Sequence, residues 1–346
     1  MSARLDTLRA TLDEPLLVTN LVNVRYLTGF DSSNAALLVD PDGPARLYTD
    51  FRYIEVAEEV PGVEAVLTKR SLLRDVSGRL GNRVAFEADA LPYSQYDALA
   101  ADGRTLVPTS GVVERLRAVK DEDELARMRR SARAADCAFE ALSAETWIGR
   151  SERELAWRLQ QLMHAHGVDR LSFGIAIATG PNASRPHAEP GEAIVEPGTL
   201  VVADWGGQLD GYCSDCTRTL ATGELPRELR RAYDVCLEAQ LAAVEGIRPG
   251  MTGAEADGIA RAVIEAAGLG DRFGHGLGHG VGLEIHEAPR LAQESRDVLE
   301  PGNVVTIEPG IYLPGLGGVR IEDLAIVGED GVELLTSFPK ALTLVD

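Results

Sequence analysis

Near residue 120 the hydrophobic pattern of this chain changes period, and that change limits the folds open to it more than any other feature. Upstream, from Leu16 to about Val119, short apolar runs such as LLVTN, AALLVD, RLYTD and VAFEAD alternate with turn residues and mixed helical stretches. That is the pattern of a small α/β domain. Downstream of Lys120-Asp121, apolar residues fall at Leu125, Met128, Ala132, Ala135, Phe139 and Leu142, spaced 3, 4, 3, 4 and 3, which is one face of a long helix. The acidic DEDE at its start suits a helix N-terminus. We therefore expect a domain boundary near residue 120, dividing the chain into 1–120 and 121–346. A length of 346 residues agrees, at about 150 residues per domain.

Two further helices are expected in the second domain. Ser151 with Glu154, and Thr252 with Glu255, have the spacing of a capping box. Leu155, Leu159 and Leu162 follow the first, Gly167 closes it, and Gly268 closes the second. The runs FGIAIAT, GTLVVADW, YCSDCTRTLA, NVVTIEPGIYL and VRIEDLAIV read as strands, so this domain is α+β with antiparallel hairpins. No repeat with a period of 20 to 50 residues is visible, which argues against a solenoid.

Composition narrows the function. Asp plus Glu number 54 against 34 Lys plus Arg, a formal charge of −20. Nucleic acid is therefore not an expected partner, because its phosphates require a basic footprint. No apolar stretch is long enough to span a membrane. The opening MSARLDTLRATLDEP mixes charge into the place of a signal peptide's apolar run, so the expected location is the cytoplasm. Four cysteines are too few for a disulfide scaffold. Cys213 and Cys216 form a C-x-x-C without the second pair that a zinc ribbon needs.

Four acidic residues have spacings that carry chemistry. Asp204 and Asp215 lie eleven apart in VVADWGGQLDGYCSDCTRT, two strand-like runs around a glycine-rich turn. A turn at Leu209-Asp210 pairs 204 with 215; a turn at Asp210-Gly211 pairs 215 with 206 and leaves 204 one diagonal step away. Both registers put the carboxylates on one face, since side chains alternate with period 2. Glu308 and Glu322 repeat the argument in TIEPGIYLPGLGGVRIED. An odd loop such as Pro314 to Gly318 pairs 313 with 319 and keeps both glutamates on one face. Facing carboxylates repel unless a cation or proton lies between them, so two such pairs suggest a site for hard cations.

Three of the six histidines, His275, His279 and His286, fall in FGHGLGHGVGLEIHEAP. Five glycines there make a helix implausible, and Gly276 occupies the position where a metalloprotease H-E-x-x-H carries glutamate. His187 stands alone in TGPNASRPHAEP. His164 and His166, near a helix end, suit solvent or the helix dipole.

In order, Asp204, Asp215, His279, Glu308 and Glu322 resemble the five metal ligands of the pita-bread metallopeptidases, the group of methionine aminopeptidase, aminopeptidase P and prolidase. DGYCSDCTRT, HGLGHGVGLEIHE, IEPGIY and VRIED each resemble a family block, and LRAVKDEDELARMRRSA resembles the entry to the catalytic domain. Upstream, LVTNLVNVRYLTGF and LYTDFRY resemble the creatinase-type amino-terminal domain of prolidase and aminopeptidase P, which methionine aminopeptidase lacks. The resemblance implies a creatinase-like α/β domain over 1–120 and a pita-bread catalytic domain over 121–346.

It also implies two divalent cations. Asp215 and Glu322 bridge both, Asp204 chelates one, and His279 with Glu308 holds the other. A metal-bridging hydroxide is implied to attack the X-Pro bond, with Glu308 as general acid/base, His187 and His286 on the substrate side, and His275 and Arg320 as supporting groups, Arg320 pairing with a ligand carboxylate. Oxygen-rich ligation favours manganese, or cobalt in vitro, over zinc. The expected substrate is an X-Pro dipeptide, as for a prolidase, with Arg185 a candidate for its carboxylate. The alternative is an aminopeptidase P acting on longer peptides. A metal-free creatinase-like hydrolase or a binding module is a further reading, which the five chemically competent ligand positions disfavour. A homodimer is implied in which the amino-terminal domain covers the partner's active site, with Asp50 and Arg52 pairing at that surface.

Overall fold

The computed structural model describes residues 2–100 and 103–346. Positions 1, 101 and 102, inside the first expected domain, lie outside the described residues. The chain divides into two compact units, one ending at Arg117 and the other running from Ala118 to Asp346.

The first unit is built on a six-stranded mixed sheet. Its strands are β1 (Leu16–Val18), β2 (Ala35–Val39), β3 (Ala45–Thr49), β4 (Val63–Leu67), β5 (Arg83–Glu87) and β6 (Thr105–Thr109), in the order β4-β3-β2-β1-β5-β6. β1, β2 and β3 pair antiparallel, while β3–β4, β1–β5 and β5–β6 are parallel. Burial on both faces explains the unbroken apolar runs of the central strands; all five residues of β2 are buried. Asp50 and Arg52 differ from expectation. Asp50 is fully buried and forms a bidentate pair with Arg52 at 2.8 and 2.9 Å, with Asn34 Nδ2 donating to it at 2.6 Å. The pairing expected between chains is thus satisfied within one domain, and the residue left exposed between them is Phe51, at 69%.

The second unit opens with the helix Glu122–Ser143, where Asp121 and Glu124 form a complete capping box. Leu125, Met128, Ala132, Ala135, Phe139 and Leu142 are all buried, as their spacing requires. Phe139 stacks on Trp205 at 3.6 Å and meets Trp147 and Phe338 edge-on, so truncating it to alanine should cost about 3–5 kcal/mol. The helices Glu152–Ala165 and Gly253–Ala266 also open on complete capping boxes. A fourth helix, Arg227–Gly246, follows Pro226 without a side-chain cap and so lacks the signal that marks the others.

These elements form two similar halves. In each, a helix pair precedes antiparallel strands, and the second helix is tied back in the same manner. Gly149 donates to the Val195 carbonyl and Gly250 to that of Leu299; Ser151 bridges to Ile194 and Thr252 to Val298. Of the four Glu-Pro-Gly tripeptides in the sequence, those at 196–198 and 300–302 stand before the acidic strand of each half. The spacing, roughly one hundred residues, lies beyond the short periods of solenoids. No helix among the described residues is long and apolar enough to cross a membrane.

Candidate metal centre

Each half contributes one acidic hairpin. In the first, Asp210 and Gly211 adopt positive φ of 51° and 87°, the backbone of a tight two-residue hairpin turn. Leu209 pairs with Tyr212, and the same register carries Asp204 opposite Thr217. This is the second of the two registers considered, with Asp215 opposite Gly206 and Asp204 one diagonal step away. A Cβ at Gly206 would lie 2.2 Å from the Ser214 carbonyl oxygen, so only glycine fits there.

The second hairpin corrects an expectation. Leu313 pairs with Gly317, not Val319, and the loop is the three residues Pro314, Gly315 and Leu316. Gly315 takes φ of 79°, and Leu316 N–H donates back to the Leu313 carbonyl at 2.9 Å. Ile307 opposite Asp323 continues the register, so Glu308 and Glu322 stand directly opposite. A slip of two residues preserves the face, which is why parity survived the wrong loop length.

The hairpins bring the carboxylates together. One ligand oxygen each from Asp204, Asp215 and Glu322 lies within 4.8 Å of the others. His279 Nε2 is 3.4 Å from Glu308 Oε1 and 3.7 Å from Asp215 Oδ2. Burial, followed by mutual repulsion, raises the pKa of Asp215 and Glu322 well above the usual carboxylate range. Burial also raises that of Glu308, and it lowers that of His279.

This donor set fits divalent cations. Nδ1 of His279 lies 3.1 Å from the Gly280 carbonyl, a contact that only an N–H can satisfy, so the neutral ring directs its Nε2 lone pair at the carboxylates. Without a cation, that lone pair and the clustered carboxylates repel one another. Asp204 Oδ1 is likewise buried with no hydrogen-bond partner in the protein, while Oδ2 accepts from Arg320 Nη2 at 2.6 Å.

Arg320 organises the surroundings. It donates to Asp204, Thr217 Oγ1, the Tyr312 hydroxyl and the Pro186 carbonyl, and Thr217 in turn donates to Glu322 Oε2 at 2.7 Å. His275 Nε2 is 3.0 Å from the Tyr312 hydroxyl. Thr306 donates to Glu308 Oε1 at 3.1 Å and accepts from His279 N–H at 3.0 Å. Thr217, Thr306 and Tyr312 escaped the sequence reading, because a lone hydroxyl carries no pattern until the fold places it.

His187 is exposed and lines a cavity of about 400 Å³ with His275, Tyr312 and Arg272. His286 is exposed too, its ring 4.4 Å from that of His279. Arg185 is exposed, and its only side-chain hydrogen bond among the described residues is to Asn182 Oδ1, at 3.5 Å, whereas Arg290 is the cross-strand partner of His279. Cys213 and Cys216 are buried free thiols with different surroundings: Cys213 contacts Gln208 and the Leu283 carbonyl, Cys216 contacts Arg218 and the Glu322 carbonyl.

Residues 126–329 match the sequence profile of Metallopeptidase family M24, and residues 4–119 that of the Creatinase/Prolidase N-terminal domain. An Xaa-Pro dipeptidase of Pyrococcus furiosus is 36% identical over 99% of this chain and 100% of its own. The structure of an Xaa-Pro dipeptidase from Bacillus anthracis superposes with a TM-score of 0.96 at 40% identity, covering 99% of both chains. That of an X-Pro aminopeptidase from Thermotoga maritima gives 0.88 at 30% identity, over 96% of this chain and 97% of that one. With both profiles matched in order and the acidic hairpins converging on one cluster, the chain belongs to metallopeptidase family M24, a pita-bread enzyme preceded by a creatinase/prolidase amino-terminal domain.

Proposed function

We propose that the protein hydrolyses the bond before proline in Xaa-Pro dipeptides, using two divalent cations per chain. The observation that carries this reading is the convergence of Asp204, Asp215 and Glu322 within 4.8 Å, beside a histidine whose lone pair faces the cluster. In this reading Asp215 and Glu322 hold both ions, Asp204 holds one, and His279 with Glu308 holds the other. Five side chains offering mostly oxygen and one nitrogen suit manganese, with cobalt or zinc as substitutes. When bound, the cations polarise the scissile carbonyl and acidify the attacking water.

The chain's own groups do the rest. Glu308, steadied by the Thr306 hydroxyl, moves a proton from the attacking water to the proline nitrogen. His187 and His286 donate to the oxygen that gains negative charge. His275 and Arg320 hold Tyr312 and Asp204 in place. Arg290, opposite His279 and so on its face of the hairpin, is better placed than Arg185 to receive a dipeptide's carboxylate.

The names of the Pyrococcus furiosus and Bacillus anthracis relatives favour the dipeptidase reading, and that of the Thermotoga maritima structure favours aminopeptidase P. We place the protein in the cytoplasm as a homodimer, with the boundary between its domains near residue 120 in the sequence. Product analysis on Ala-Pro and Ala-Pro-Ala, with metal content measured on the same preparation, tests the proposal. Faster cleavage of Ala-Pro supports it; cleavage of Ala-Pro-Ala at an equal or greater rate makes the enzyme an aminopeptidase.

A further inference from the structure

The segment 273–279 carries His275 and His279, yet its glycines give it little intrinsic stiffness. Only Gly278–Gly280 of it is paired as a strand. Three of its other backbone groups are bonded from behind by a buried ion pair on the helix Gly253–Ala266. Asp257 and Arg261 are 1% and 9% exposed. Arg261 Nε donates to Asp257 Oδ2 at 2.6 Å and Nη2 to Oδ1 at 2.9 Å.

The pair also reaches outward. Arg261 Nη1 donates to the Phe273 carbonyl at 3.0 Å and Nη2 to the His275 carbonyl at 2.8 Å. The guanidinium lies 4.2 Å over the Phe273 ring. Asp257 Oδ1 accepts from Leu277 N–H at 3.0 Å. The Leu277 carbonyl in turn accepts from Glu308 N–H at 2.8 Å. Alternate residues 273, 275 and 277 are thus bonded to two side chains that stand in for a missing strand, and the next residue of that alternation is His279.

We propose that Asp257 and Arg261 are positioning residues that set the placement of His275, His279 and, through Leu277, Glu308. Neither touches substrate or metal; they act by fixing the backbone from which those groups project. The planar guanidinium can serve a carboxylate and two carbonyls at once, which an ammonium cannot. A pair that only stabilised the helix would need none of the three bonds to the loop. The catalytic consequence rests on the hydrolytic reading above, whereas the structural one does not.

Arg261→Lys keeps a cation beside Asp257 and removes the fork. In the metal-free full-length chain, hydrogen–deuterium exchange should quicken at least 10-fold at Leu277 and His279 while the Gly253–Ala266 helix changes less than 2-fold. In the metal-loaded enzyme, kcat for Ala-Pro should fall at least 10-fold with KM within 2-fold. Asp257→Asn, which keeps an acceptor for Leu277 N–H, should give smaller shifts of the same kind and serves if Arg261→Lys does not fold. Ile264→Val, a core change on the same helix, should lower the melting temperature and leave loop exchange and kcat unchanged. Unaltered exchange at 277 and 279, or loosening spread equally along the helix, would overturn the proposal. If the unmodified chain does not cleave Ala-Pro, the hydrolytic reading fails while the exchange measurement still decides the clamp.

Discussion

Replacing Asp215 by asparagine should move stability in opposite directions with and without metal. Asp215 is 5% exposed, and its carboxylate shares a 4.8 Å cluster with those of Asp204 and Glu322. At an effective dielectric of about 20, two unit charges that far apart repel by roughly 3 kcal/mol. Protonation relieves part of this, as the raised pKa values of Asp215 and Glu322 indicate, so removing one charge should return about 1–2 kcal/mol to the metal-free protein. For a unit of this size that is a rise of roughly 2–8 °C in midpoint. With manganese at a hundredfold excess over its Kd, the unmodified protein gains about 2.7 kcal/mol per site by mass action. The variant, lacking a carboxylate assigned to both ions, should gain little. Thermal unfolding in chelator and then in manganese, with metal analysis of each sample, should therefore invert the order of the two proteins. A variant that keeps full metal and turnover, or whose metal-free midpoint falls, would refute the reasoning.

The parts of this design that could be read without coordinates are those controlled by short-range periodicity. Helix faces and capping boxes at Asp121, Ser151 and Thr252 depend on residues three or four apart. The shared faces of Asp204 with Asp215 and of Glu308 with Glu322 depend only on even or odd spacing, so the mistaken 313–319 pairing did no harm. What could not be read depends on tertiary placement. The helix Arg227–Gly246 begins behind a proline without a side-chain cap. Asp50 turned inward because Asn34 and Arg52 of its own domain satisfy it. Tyr312 and Thr306 acquire roles only when folding sets them against His275, Arg320 and Glu308. The duplicated halves left little trace in the sequence beyond the matching capping boxes at Ser151 and Thr252 and the Glu-Pro-Gly tripeptides at 196–198 and 300–302, because the residues between them serve different walls of one site.

The histidines should separate by role: His279→Ala should lose metal, whereas His187→Ala and His286→Ala should retain it and lose roughly 10²-fold in kcat; equal metal loss in all three, by elemental analysis, would reverse the assignment. Arg290→Met should raise KM for Ala-Pro more than Arg185→Ala does, with metal content unchanged in both; the opposite order in steady-state kinetics would restore Arg185 as the carboxylate receptor. Phe51→Asp should convert a homodimer into monomer by light scattering, if the exposed ring lies at the subunit contact, and an unchanged dimer would place the contact elsewhere. Glu87 should give a pH signature independent of metal. It is buried, with Thr19, Asn20 and Asn23 donating to it, and burial raises its pKa. A carboxyl raised in the folded state binds its proton there before the unfolded chain does. Its contribution therefore becomes more favourable as pH falls through the folded pKa toward the unfolded value of about 4.3. Glu87→Gln removes the titration, so the stability of the unmodified protein relative to the variant should rise on acidification from pH 7, by at most about 1.4 kcal/mol per pH unit. Urea unfolding of the two metal-free proteins between pH 7 and 4.3 measures that difference, in which titrating groups not coupled to Glu87 cancel, Glu114 being the acidic neighbour that is coupled to it; a difference constant with pH, or one that shrinks toward acid, would show that Glu87 is not held in this way.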